Sequence, residues 1–136
     1  MILLEVNVRT MKKLGDAELE IMQVLWKAEV PVTSTYILEK MNGKRHWALS
    51  TLMTILARLC EKNCVICDRS TRTNYYTALL NEEAYKKQES SDILGKLFNN
   101  SIYDLVVSLY HGNAISKEDL ASLRKMIDEL EEDCEK

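Results

Sequence analysis

One proline and four glycines are all that punctuate a chain of 136 residues, and this scarcity is the tightest constraint on its fold. An all-β chain of this length needs frequent tight turns, and Gly and Pro supply most of them. Their near absence points to a mostly helical protein with at most a small β element. Three of the breaks, Val30–Pro31, Asn42–Gly43 and His111–Gly112–Asn113, fall between apolar stripes of helical period.

The stripes define the elements. Gly15–Asp16 opens a first helix with Asp16 as its N-cap; Leu19, Met22, Leu25 and Trp26 form its apolar face, opposite Glu18, Glu20, Gln23 and Lys27. Pro31 ends it, having no amide to donate and restricting the residue before it. Thr33 or Ser34 caps a shorter helix to about Met41, with Tyr36, Ile37 and Met41 apolar. A third helix spans Leu49 to Lys62, with Leu52, Ile55, Leu56 and Leu59 at i, i+3, i+4 and i+7. Its other face reads Ser50, Thr51, Thr54, Ala57 and Arg58, small and polar where a plain solvent face would carry Glu and Lys. Two β-prone runs, 64–69 and 75–79, flank a polar turn and form a hairpin. Three short helices and a hairpin, in that order, are a winged helix-turn-helix. Residues 1–13 are an N-terminal extension of weak alternation, either a short strand or a loose segment.

The remainder is helical. Asn81 caps a helix that continues with interruptions to Phe98, and Ser101 caps another whose apolar residues are Ile102, Leu105, Val106, Leu109 and Tyr110. Ser116 and Asp119 resemble a capping box before a last helix with Leu120, Leu123, Ile127, Leu130 and Cys134 at 3-4-3-4 spacing. The chain thus divides into a winged-helix domain, 1–80, and a helical domain, 81–136. A unit of roughly 55 residues is marginal alone. Burial of its stripes against a second copy is the simplest expectation, with intrachain packing the alternative. Ile102, Leu105, Val106, Leu109, Leu120, Leu123, Ile127 and Leu130 are the dimerisation candidates.

Charge is unevenly placed. Residues 1–80 carry eleven Lys/Arg and eight Asp/Glu, while 81–136 carry seven and thirteen. Within 40–72 seven basic residues face two acidic ones. A local excess of this size fits a nucleic-acid footprint, or a solvated surface with chance clustering. Thr51 and Thr54, three apart, share a helix face; their hydroxyls suit phosphates or base edges and their methyls suit thymine. Arg58 suits phosphate or guanine, Arg69 and Arg72 at the hairpin turn suit the backbone or minor groove, and Lys44 and Arg45 suit phosphate; Ser50 completes the candidate set. Trp47 is read as packing at the base of the third helix rather than intercalating.

Other function classes find little support. Neither of the two His lies near a nucleophile, and Gly is too sparse for a phosphate loop, so no enzyme and no cofactor is expected. Cys60, Cys64 and Cys67 invite a metal reading, but zinc wants four ligands. On a strand, Cys64 and Cys67 would point to opposite faces, so buried small hydrophobes are the expectation and no metal is assigned. No stretch suits a bilayer span or a signal-peptide core, so a cytoplasmic protein without membrane insertion is expected.

Two segments carry a resemblance. Leu14–Trp26, LGDAELEIMQVLW, and Trp47–Leu59, WALSTLMTILARL, together resemble the penicillinase-repressor family, the BlaI/MecI/CopY type of bacterial transcriptional regulators. The hairpin ending Tyr75–Tyr76 and the three-helix tail fit it too. The resemblance implies a homodimeric repressor that binds a palindromic double-stranded operator and is released by an inducing signal. It matches Thr51, Thr54 and Arg58 to DNA-contacting positions and Trp47 to the Trp before the recognition helix. It also matches the tail to an intertwined dimerisation domain. In the β-lactam branch the resemblance brings in a membrane sensor protease system, with cleavage between an Asn and a Phe; here that position reads Ser108–Leu109. The paired C-terminal cysteines of the copper branch are reduced to Cys134, and Ser50 and Met53 stand where relatives carry basic or amide side chains. The alternative from another class is a winged-helix module for protein–protein assembly without DNA binding.

Overall fold

The computed structural model describes residues 13–41 and 46–135, without the Glu135 side chain. The expected extension therefore lies outside the described residues, except for Lys13. Six helices and one hairpin follow: α1 Asp16–Ala28, α2 Ser34–Met41, α3 Leu49–Glu61, β1 Val65–Asp68, β2 Tyr75–Ala78, α4 Glu82–Phe98, α5 Ile102–His111 and α6 Lys117–Glu135. The architecture is mostly helical, and its first five elements follow winged-helix order.

Local chemistry sets the helix ends. The N-cap of α1 is Gly15, not Asp16, because Glu18 reaches back to accept the Gly15 N–H at 2.9 Å. Thr33, rather than Ser34, accepts the Tyr36 N–H and caps α2. Asn81, Ser101 and the Ser116–Asp119 pair cap the later helices as their sequences require. The helix to Phe98 is continuous: Ser90–Ser91 and Gly95 do not interrupt it. Gly is not needed where the chain turns left-handed, because Asn63, Asn99, Asn100 and Asn113 take positive φ there, as does Glu29 at the end of α1. Asn tolerates that region better than other side-chain-bearing residues.

β1 and β2 pair antiparallel, with Val65 opposite Ala78 and Asp68 opposite Tyr75. Val32 adds a single bridge to Tyr76, exchanging hydrogen bonds of 3.0 and 2.7 Å. Asp68 stabilises the glycine-free turn by accepting the Ser70 N–H at 2.9 Å.

Packing divides the chain into Met1–Glu89 and Ser90–Lys136, so the division falls within α4 rather than before it. In the first unit Ile21, Met22 and Leu25 of α1 meet Ile37 and Met41 of α2 and Leu52, Leu56 and Leu59 of α3, with Val65, Tyr76 and Leu80 closing the core. Ile21, absent from the apolar face read in the sequence, is fully buried. Tyr85 belongs to this core. Its hydroxyl accepts the Leu14 N–H at 3.2 Å, and its ring lies 6.1 Å from that of Trp26. The Trp26 indole donates to the Leu80 carbonyl at 2.8 Å. In the second unit Leu105, Val106, Val107 and Leu123 are half-buried, and none of its described residues is fully buried.

A long-range ion pair ties α1 to the end of α3: the Lys62 ammonium donates to both Glu18 carboxylate oxygens, at 2.9 and 2.7 Å. Burial pushes the Glu18 carboxyl up. Hydrogen bonds from Lys62 and Gly15, with the charges of Lys62 and Arg58, outweigh it and hold the group below its ordinary value of 4.5. A depressed folded-state value means this stability is present above the unfolded value and is lost as pH falls through the folded one. Glu18→Gln is therefore expected to cost about 1–3 kcal/mol at neutral pH. It should also flatten the acid limb of stability below pH 4.5. Urea denaturation at neutral and acid pH checks both, and an unchanged acid limb would refute the assignment.

Candidate nucleic-acid interface

The site is built on α3. Its inner face, Leu52, Leu56 and Leu59, is buried, and Ile55 is half-buried. With these held down, the remaining positions turn outward: Ser50, Thr51, Met53, Thr54, Ala57 and Arg58 are exposed. No acidic residue occupies the first turn, which leaves the positive end of the helix dipole uncompensated by side chains. Trp47 is half-buried and packed against the core.

The Thr54 hydroxyl differs from the expectation. It donates to the Ser50 carbonyl at 3.0 Å, and a hydroxyl carries a single proton. Thr54 therefore offers lone pairs and a methyl, but no proton for a phosphate.

The basic cluster is also thinner than its charge count. Lys62 is committed to Glu18, and Lys40 sits 5.4 Å from the centroid of the Tyr36 ring. Arg58, Arg69 and Arg72 are exposed, with Arg69 near the Cys67 thiol. Lys44 and Arg45 lie outside the described residues. The sequence reading placed Ala57 on this face but missed Met53 as an outward-facing neighbour of the threonines. Helical phase would have signalled it.

The cysteine geometry corrects one expectation. Cys64 precedes β1 instead of lying on it; its amide donates to the Leu59 carbonyl at 2.9 Å. Strand alternation therefore does not separate it from Cys67, and both pack on the core. Burial pushes the Cys60 thiol up, reinforced by Cys67 and opposed by Arg69, and burial likewise raises that of Cys64. Such thiols behave as small hydrophobes. Among the described residues no three His, Cys, Asp or Glu are grouped to hold a metal ion.

In the second unit Ile102, Leu109, Leu120, Ile127 and Leu130 are exposed, while Leu105, Val106 and Leu123 are half-buried. Ser108 and Leu109 lie exposed in the last turns of α5. No helix among the described residues is long and apolar enough to cross a membrane.

Comparison with known proteins agrees with this arrangement. The family model described as penicillinase repressor matches residues 14–129. A penicillinase repressor of Bacillus licheniformis is 25% identical over 117 residues, 86% of this chain and 91% of that protein. A transcriptional regulator BlaI of Mycobacterium tuberculosis is 38% identical over 64 residues, 47% of this chain and 46% of that one. Among solved structures, the monomeric form of Bacillus licheniformis BlaI in complex with the blaP half-operator is similar with a TM-score of 0.48 at 28% identity, over 56% of this chain and 92% of that one. With its match running from Leu14, two residues before α1, into the last helix, the chain belongs to the penicillinase-repressor family.

Proposed function

We propose that this protein is a non-enzymatic transcriptional repressor that acts in the cytoplasm as a homodimer on a palindromic DNA operator. In this reading α3 lies in the major groove. At 1.5 Å per residue its 13 residues extend about 20 Å, a length the groove accepts. Thr51, Thr54 and Ser50 meet base edges, Arg58 meets guanine or phosphate, and Arg69 and Arg72 bring the hairpin turn to the backbone. The exposed stripes of α5 and α6 bury against a second copy and set two α3 helices about 34 Å apart, one turn of DNA. The observation that carries the reading is the outward face of α3: three leucines hold its reverse side in the core while Thr51, Thr54 and Arg58 are exposed to solvent. Membership of a repressor family supports it.

The test is duplex binding across a salt series, on fragments selected from the source genome. Affinity is expected to fall with a log–log slope of about −0.9 per phosphate contact. Binding that is absent, or indifferent to salt, would sink the proposal in favour of a protein–protein assembly module. Arg58→Ala is expected to weaken the selected duplex by about 1–3 kcal/mol if the guanidinium grips guanine, with folding unaltered by circular dichroism. Unchanged affinity would mean that another face meets DNA.

A further inference from the structure

The outward face of α3 has a chemical character that its threonines and arginine do not convey. At about 100° per residue, Met53, Ala57, Ser50 and Thr54 fall in one contiguous arc about 100° wide, with Thr51 and Arg58 beside it. This arc is short of hydrogen-bond donors. Met53 and Ala57 have none, and the one proton of the Thr54 hydroxyl is spent on the Ser50 carbonyl. Its first charge is Glu61, one turn beyond Ala57. Met53 is nevertheless 37% exposed, on a surface where a long polar side chain would serve helix formation equally well. An exposed thioether beside two methyl-bearing residues is suited to an apolar, shape-tolerant contact.

The major groove presents one such partner. Of the bases, only thymine carries a methyl there; the other edges offer donors and acceptors. Resting on the DNA-binding reading above, we infer that Met53, with the methyls of Thr54 and Ala57, forms an apolar edge that reads thymine C5-methyl groups, so that Met53 is a specificity-determining residue. Selectivity along this arc comes from methyl burial, while Arg58 and Thr51 on the flank supply the polar contacts.

The experiment uses the full-length protein and the tightest-binding duplex selected from a random pool, made once with thymine and once with uracil, which lacks only the C5-methyl. Wild-type affinity is expected to drop about fourfold for each thymine methyl contacted. In Met53→Gln, whose side chain is partly exposed and whose fold is checked by circular dichroism, most of that difference should vanish. Equal affinity of wild type for the two duplexes overturns the inference while leaving DNA binding intact. A uracil penalty as large in Met53→Gln as in wild type removes Met53 from the contact and overturns its role. Loss of salt-dependent binding to every duplex overturns both this inference and the reading beneath it.

Discussion

Replacing both Ile127 and Leu130 by aspartate in the proposed homodimer is expected to leave a monomer that binds a two-half-site duplex about 100-fold or more weakly than wild type. The two side chains are 49% and 53% exposed on successive turns of α6, in line with Leu120 and Leu123. Ordinary surfaces expose single apolar residues; a continuous stripe marks an interface. A carboxylate buried at each position without a partner costs far more than the lost methyls contribute, and twofold symmetry places every substitution in the interface twice. The loss of operator affinity has a separate origin. A dimer presents its second recognition helix at high local concentration once the first is seated, and a monomer forfeits that. Sedimentation reads the oligomeric state and titration of the selected duplex reads the affinity; a dimer that survives the double substitution would refute the seam. Ile127 and Leu130 are better probes than Leu123, whose half-buried side chain also packs within its own chain.

The second large effect belongs to the opposite side of α3. Leu56 is 1% exposed at the centre of the first unit, and Leu56→Ala is expected to destabilise that unit by about 2–5 kcal/mol through lost burial and the cavity left behind. Thr51→Ala, on the outward side of the same helix, should cost within about 0.5 kcal/mol of stability but should weaken duplex binding. The contrast separates the two faces. Urea denaturation monitored at Trp26 and Trp47, paired with duplex titration, checks it. A Leu56→Ala cost below about 1 kcal/mol would mean that α3 is not held as described.

Much of this arrangement was legible in advance because it is local. The Leu52–Leu56–Leu59 stripe is a period, and a period is visible without coordinates. Ser101 and the Ser116–Asp119 pair cap helices through partners three residues away, so spacing alone finds them. The outward threonines follow from the same phase once the leucines point inward. Misreadings arose where the deciding partner is far along the chain or where one residue's register matters. Lys62 counted toward a basic footprint, yet its partner Glu18 lies in α1, and that pairing removes it from the DNA-facing set. Cys64 looked like a strand residue, but the strand begins one position later. Alternation then does not govern its direction, and two cysteines assigned to opposite faces both pack on the core.

The chain's order of amino acids was enough to settle where helices and hairpin fall, which face of each is apolar, and that the exposed side of residues 49–61 is short, polar and methyl-bearing. Those properties depend on neighbours within a turn or two. Only the folded molecule decided that Tyr85 joins the core of the first unit, that Lys62 is spent on Glu18, and that Thr54 has no proton left to give. The first two are contacts between residues 71 and 44 positions apart. The third depends on a side-chain rotamer, and neither kind of information is carried by periodicity.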